Sequence, residues 1–419
     1  MNTVEARVLA ALDFEGMLDY LGQLVAVRSL SGQETPAQEM MAAQMARCGL
    51  EVDVWALDFE ALRRHPAFSI EVERDHSLGV VGTLGAERGG RSLIFNGHVD
   101  VVPSGNEAHW HYPPWQATLA EGNVYGRGAL DMKGGLCCAL FAAKAVHEAG
   151  VQLKGKLMIE SVIGEEDGGV GTLAAVLRGY RADGAVVVEP TELIVAPAQA
   201  GALNFRLTIP GFSAHGCMRE EGVSAIEKFF PIYQAIMSLE RERNQQLQDA
   251  RFADYSLPYA ICIGTVQAGD WASSVADWLT CEGRYGVAVG EDIAAARHQL
   301  KTTIAAAAQA DPWLRDHPPQ LEWWGGQFHP AGIAMDHPLV ETVSGAFNTI
   351  TGRTPHRQGM TYGADMRLLV NEGQTPTVLF GPGDVRKAHQ PDEFVPLAEL
   401  KLATQTLALT ALRFCGYEE

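Results

Sequence analysis

The 419-residue sequence predicts an α/β fold, a mainly parallel sheet covered by helices, with an inserted α+β unit. Three observations carry this reading. Over the first 190 residues, strand-length apolar runs alternate with segments of helical periodicity, the pattern of parallel strands buried on both faces. From about residue 200 the order becomes βαββαβ, a compact two-layer unit of the ferredoxin-like kind. After about residue 330 the first pattern resumes.

The elements follow in order. "EGMLDYLGQLVAVRS" sets Met17, Leu18, Leu21, Leu24 and Val25 on one helical face. "ETPAQEMMAAQMARCG" is a second helix, stopped at Gly49. "LGVVGTLG", "SLIFNG", "KLMIESVIG" and "GAVVVEP" are strands bounded by Gly, Pro or polar residues. Among them lies the helix "GGLCCALFAAKAVHEAG", ended by Gly150. The insert reads as strand "ALNFRLTI", helix "SAIEKFFPIYQAIMSLERE", strands "YAICIGTVQAG" and "DWLTCEGRYGVAV", helix "EDIAAARHQLKTTIAAAAQ" and strand "PPQLEWWGG". The chain closes with helix "HPLVETVSGAFNTITG", strand "PTVLFGPG" and helix "PLAELKLATQTLALTALRFCG".

Bulk properties exclude some functions. A net charge of -19 argues against nucleic acid or an anionic membrane as a partner, since both need a basic surface. No apolar run reaches the roughly 18 residues of a membrane span, and the start lacks a signal-peptide pattern. Seven scattered cysteines do not suggest a disulfide framework, so reduced thiols in the cytoplasm are expected.

Chemistry-bearing residues gather where strands end, the edge at which parallel sheets place their sites. "LIFNGHVDVVP" ends a strand with His98 and Asp100, which share a face. Alone, such a pair also suits a solvated strand end. "GRGALDMKGG" puts Asp131 just before a helix, where an N-cap is the bland alternative. "GEEDGG" closes the next strand with Glu165 and Glu166, "VVVEP" adds Glu189, and "AHQPDEF" adds His389. Mixed imidazole and carboxylate donors suit Zn²⁺ or a similar divalent ion. Five ligands exceed one open tetrahedral site. They suit two metals about 3.5–4 Å apart sharing a carboxylate.

The ordered series "NGHVDVVP", "YGRGALDMKGG", "GEEDGGVGT", "VVEPT", "GFSAHG", "YGADMRLL" and "AHQPDEFV", spanning residues 96–395, resembles the di-zinc metallopeptidases and deacylases. That family includes aminoacylase, acetylornithine deacetylase, succinyl-diaminopimelate desuccinylase and glutamate carboxypeptidase. "LFGPGD…AHQPDEFV" and "GDWASSVADWLTCEGRYGV" look most like the deacetylase and desuccinylase branch.

The resemblance implies a zinc-peptidase-like catalytic domain, residues 1–199 and 329–419, with a lid and dimerisation domain at 200–328. It implies that His98 and Glu189 hold one zinc, Glu166 and His389 the other, and that Asp131 bridges them, with Co²⁺ or Mn²⁺ as alternatives. It makes Asp100 the support of His98, Glu165 the general base and His215 the oxyanion donor, acting in cis or in trans within a homodimer. Arg284 and Arg367 are its carboxylate clamps, and Gly363 and Ser273 line the pocket. "SSVAD" departs from the "NVVP"-like turn of many relatives, with Ala276 in place of a proline. The implied activity is hydrolysis of an N-acetyl, N-succinyl or N-formyl amine or amino acid, a small-molecule substrate. A dipeptidase or carboxypeptidase is the alternative, and a non-catalytic binding protein the remote one. Asp167 is read as a turn residue, and "HWHYPPW" as a packed surface loop rather than a pocket lining.

Overall fold

The computed structural model describes residues 1–418. The chain divides into two compact units. The first comprises Met1–Ala198, Gly332–Met360 and Ala364–Glu419, and the second Gln199–Ala331 with Thr361–Gly363.

The first unit opens with helices α1 (Thr3–Ala10), α2 (Phe14–Ala26) and α3 (Thr35–Arg47). On α2 the buried stripe is Met17, Tyr20, Leu21, Leu24 and Val25. Tyr20 takes the place expected for Leu18, which is half-buried, because the larger ring reaches Phe141. Strand β1 (Glu51–Ala56), the short helix α4 (Phe59–Leu62), β2 (Leu78–Leu84) and β3 (Leu93–His98) follow, then a small hairpin, β4 (Thr118–Ala120) and β5 (Asn123–Tyr125). Helix α5 (Gly134–Glu148), β6 (Leu157–Val162), α6 (Val170–Arg178) and β7 (Gly184–Val187) complete this stretch. The chain crosses into the second unit at β8 (Ala198–Gln199).

The second unit runs β9 (Gly201–Pro210), α7 (Ala225–Gln246), β10 (Ile261–Ala268), β11 (Trp278–Val287), α8 (Ile293–Gln309), α9 (Pro312–Asp316) and β12 (Gln320–Phe328). Its antiparallel sheet has the order β10-β11-β9-β12. Alternate residues of β9 (Leu203, Phe205, Leu207, Ile209) meet Ile232, Ile236 and Leu239 of α7 and Leu300 and Ile304 of α8 in one apolar core. The two-residue period of the strand thus feeds the helical stripes.

The chain returns at β13 (Ala331–Gly332) and continues through α10 (Pro338–Thr351), α11 (Met366–Asn371), β14 (Thr377–Leu379), β15 (Phe394–Pro396) and α12 (Leu397–Cys415). The six-stranded sheet has the order β1-β2-β6-β3-β7-β14. Only β2 runs against its neighbours, while β6–β3, β3–β7 and β7–β14 are parallel. The strands β6, β3 and β7 therefore end on one edge, with His98 level with Val162 and Asn96 level with Val187. No helix among the described residues is long and apolar enough to cross a membrane.

Candidate metal centre

Three adjacent carboxyl ends supply most of this site. His98 is the last residue of β3, Glu165 and Glu166 lie in the turn after β6, and Glu189 follows β7. Asp131 sits in a kinked turn between Gly128 and Gly134 and makes no capping hydrogen bond, so the N-cap alternative does not hold. Instead its Oδ1 lies 3.2 Å from His98 Nε2 and its Oδ2 3.3 Å from His389 Nε2. His389 Nε2 is also 3.2 Å from Glu166, and His98 Nε2 3.9 Å from Glu189. One carboxylate thus faces both imidazoles, each of which has a second acid beside it.

The tautomer of His98 follows from its other nitrogen. Nδ1 donates to the main-chain carbonyl of Asp100 at 2.9 Å, which leaves Nε2 directed at the acids. The support expected from the Asp100 carboxylate comes mainly from its carbonyl, since Oδ1 stands off at 3.6 Å. Oδ2 instead accepts the Glu166 N–H at 3.1 Å, tying the β3 end to the β6 turn.

The electrostatics ask for a cation. Burial raises the carboxyls of Glu165, Glu166 and Glu189, and neighbouring acids push further: Glu189 acts on Glu165, and Asp131 on Glu166 and Glu189. Burial pulls His98 down, yet Asp100 and Asp131 hold its imidazolium well above the ordinary range. Hydrogen bonds that His389 donates to Asp131 and Glu166 lift it to about 10. Burial opposes ionisation of Asp131, but the two imidazoles hold it well below the usual carboxylate range. His98, Asp131 and Glu166 have ligand atoms within 4.8 Å of one another, as do His98, Glu165 and Glu189. Nitrogen and oxygen donors at that spacing fit Zn²⁺, Co²⁺ or Mn²⁺.

The remaining predicted residues fall elsewhere. His215, exposed in the second unit, bridges to Ser274, and the Ser273 carbonyl accepts the Gly216 N–H at 2.6 Å. Two loops some sixty residues apart thus form one turn cluster. Arg284 donates from Nη2 to the Thr361 carbonyl at 3.1 Å, and its Nε is buried without a partner. Gly363 packs on Phe328, where a Cβ would come within 2.4 Å of the Phe328 Cβ. Arg367 is buried and donates to the Gly168 carbonyl at 2.6 Å. That places it beside the Glu165–Glu166 turn; its expected role is a carboxylate clamp.

Sequence reasoning missed the anchors around the site. Asp167 is no mere turn residue: buried, it takes both Nη atoms of Arg74 at 2.8 Å. Glu393, buried in the "PDEF" segment, accepts the N–H groups of Gly128, Leu130 and Asp131 and pairs with Arg127. Its position within a quoted motif was the one available signal; Arg74 lies in a polar run that offers none. "HWHYPPW" is a packed loop, with Trp110 under Arg127 and His111 paired to Asp392 at 2.6 Å.

Comparison with known proteins bears on this arrangement. The chain is 33% identical over 350 residues to the N-formyl-4-amino-5-aminomethyl-2-methylpyrimidine deformylase of Halalkalibacterium halodurans, covering 78% of this chain and 79% of that one. It is 29% identical over 371 residues to the acetylornithine deacetylase of Myxococcus xanthus, covering 86% and 90%. The solved di-peptidase Dug1p of Saccharomyces cerevisiae matches in fold with a TM-score of 0.79 at 12% identity, over 99% of both chains. The profile described as peptidase family M20/M25/M40 matches residues 94–413. Every acid and imidazole of the cluster, from His98 to His389, lies inside that match, and the chain belongs to peptidase family M20/M25/M40.

Proposed function

We propose that this protein is a hydrolase that removes a small acyl group (formyl, acetyl or succinyl) from an N-acylated amine or amino acid, with two divalent cations, Zn²⁺ first among them. The observation that carries this reading is the placing of Asp131, one oxygen toward each imidazole. The similarity to a deformylase and a deacetylase supports acyl removal over peptide cleavage.

In this reading His98 and Glu189 hold one cation, Glu166 and His389 the other, and Asp131 spans both. When bound, the cations polarise the scissile carbonyl and ready a water for attack. Glu165, buried and acted on by both Glu189 and Glu166, accepts the water's proton and returns it to the leaving amine. His215 serves as the oxyanion donor. Its Nδ1 accepts the Cys217 N–H at 3.2 Å, so in the neutral ring the proton sits on Nε2, free to donate. Arg284 is the carboxylate clamp: its guanidinium reaches a carbonyl, and no acid pairs with it among the described residues. Gly363 and Ser273 contribute to the pocket.

We assign homodimerisation to the second unit. β10 is an edge strand of its sheet. Ile226, Phe230 and Tyr233, exposed at helical spacing on α7, add an apolar stripe. Seven free cysteines, five of them buried, agree with a cytoplasmic setting.

A substrate panel tests the function. Protein loaded with Zn²⁺, Co²⁺ or Mn²⁺ is assayed on the N-formyl aminopyrimidine, N-acetyl, N-succinyl and N-formyl amino acids, and dipeptides. Turnover of an acylated amine is expected. Turnover of dipeptides alone makes the chain a peptidase, and binding without turnover makes it a binding protein.

A further inference from the structure

The "GEEDGG" turn carries two adjacent acids of the metal centre, and it is gripped from both sides by buried arginines. Arg74 arrives on the segment between α4 and β2. Its Nη1 and Nη2 each lie 2.8 Å from an Asp167 oxygen, while Nε and Nη2 reach Glu34 Oε1 at 3.1 and 2.7 Å. The same segment donates the Val72 N–H to Asp167 Oδ2 at 2.9 Å. Arg74, Glu34 and Asp167 are 4%, 1% and 3% exposed, so the triad is dry. On the far side Arg367 Nη2 donates to the Gly168 carbonyl at 2.6 Å.

The glycines make this grip tight. Gly164, Gly168 and Gly169 all have positive φ (65°, 142° and 77°). A Cβ on Gly168 would lie 2.0 Å from the Ser69 carbonyl oxygen, and one on Gly169 2.4 Å from Asp365 Oδ1. The turn has no slack toward either wall. Two bidentate-capable guanidiniums, rather than lysines, suit such fixed planar contacts.

We infer that Arg74 and Arg367 are positioning residues for Glu165 and Glu166: through Asp167 and the Gly168 carbonyl they set where the two carboxylates stand. This rests on the metal-hydrolase reading above. It removes Arg367 from the substrate clamps and leaves Arg284 alone in that role. It also gives the chain's stretch before residue 94, outside the family match, a part in the centre.

The test uses the full chain carrying Arg74→Met, Asp167→Asn, Gly168→Ala and Arg367→Lys, with metal content by elemental analysis, metal affinity by titration, and kcat and KM measured separately. Displacing a catalytic carboxylate by about 1 Å costs on the order of 10²-fold, so kcat is expected to fall about that far with KM little changed. Metal affinity falls alongside it. Asp167→Asn keeps the shape of the turn and reports the effect if Arg74→Met fails to fold. Gly168→Ala moves the turn without touching any charge and should give the same kcat and metal loss. Wild-type kcat and metal affinity in variants that merely melt lower would overturn the inference. A raised KM for carboxylate-bearing substrates with intact kcat in Arg367→Lys would return that residue to the pocket. Metal affinity is read without any substrate, so a wild-type protein inactive on the whole panel would sink the hydrolase reading yet still test the clamp.

Discussion

Two neighbouring glutamates carry opposite expectations. Glu165→Ala should keep both metals and lose about 10²–10⁴-fold in turnover, the range for removing a general base. Glu166→Ala should instead lower metal content, because Glu166 faces His389 at 3.2 Å. Exchanged outcomes would reverse their assignment. A third buried acid offers a test free of the metal. Glu160 on β6 takes the Asn96 amide at 2.9 Å, and burial pushes its carboxyl up to about 7. A carboxyl raised in the fold favours the neutral form there. Its stability contribution is fully present below the unfolded value near 4.5 and is lost as pH rises through about 7. Glu160→Gln keeps an acceptor for Asn96 and cannot ionise. Urea midpoints should therefore show the variant gaining on wild type between pH 5 and pH 8, by up to about 3 kcal/mol. Equal pH slopes would mean that Glu160 does not titrate in this range.

At the scale of elements, legibility depended on what each residue type normally does. Apolar runs ending in His or Glu read directly as buried strands feeding a site, and β3, β6 and β7 are where those runs lie. The strand β1, "EVDVWA", was passed over because it alternates instead of running apolar, and its burial is correspondingly partial. The reversed direction of β2 has no sequence signal, since apolar patterning does not encode strand sense. Arg74 was invisible because an arginine among acids normally means solvent; only the fold reveals that the acids are Glu34 and Asp167, brought from 40 and 93 positions away. Asp292 caps α8 by accepting the Ala295 N–H at 2.7 Å. Asp292→Ala should cost about 1 kcal/mol, seen as a lower melting temperature with unchanged kcat. A loss of activity without loss of stability would contradict that purely structural role.

For the whole molecule, the clustered acids would tie bound cations to the fold as well as to the proposed chemistry. Glu165, Glu166 and Glu189 repel one another at the sheet edge. Chelation should therefore lower the melting temperature as well as abolish turnover, and re-addition of a divalent ion should restore both. A melting temperature indifferent to chelator would separate the cluster from stability. The second unit faces a different constraint. Its β9 begins where β12 ends, with Ala202 level with Phe328, so the points where the chain enters and leaves are adjacent. Its apolar core is its own, from Leu203 to Leu314. A segment with neighbouring ends and a private core behaves as a cassette. Excised as residues 199–331, it is expected to keep its fold, with a cooperative urea transition as the check. On this account one contiguous stretch of gene can be replaced while the sheet that carries His98, Glu166 and Glu189 stays as it is.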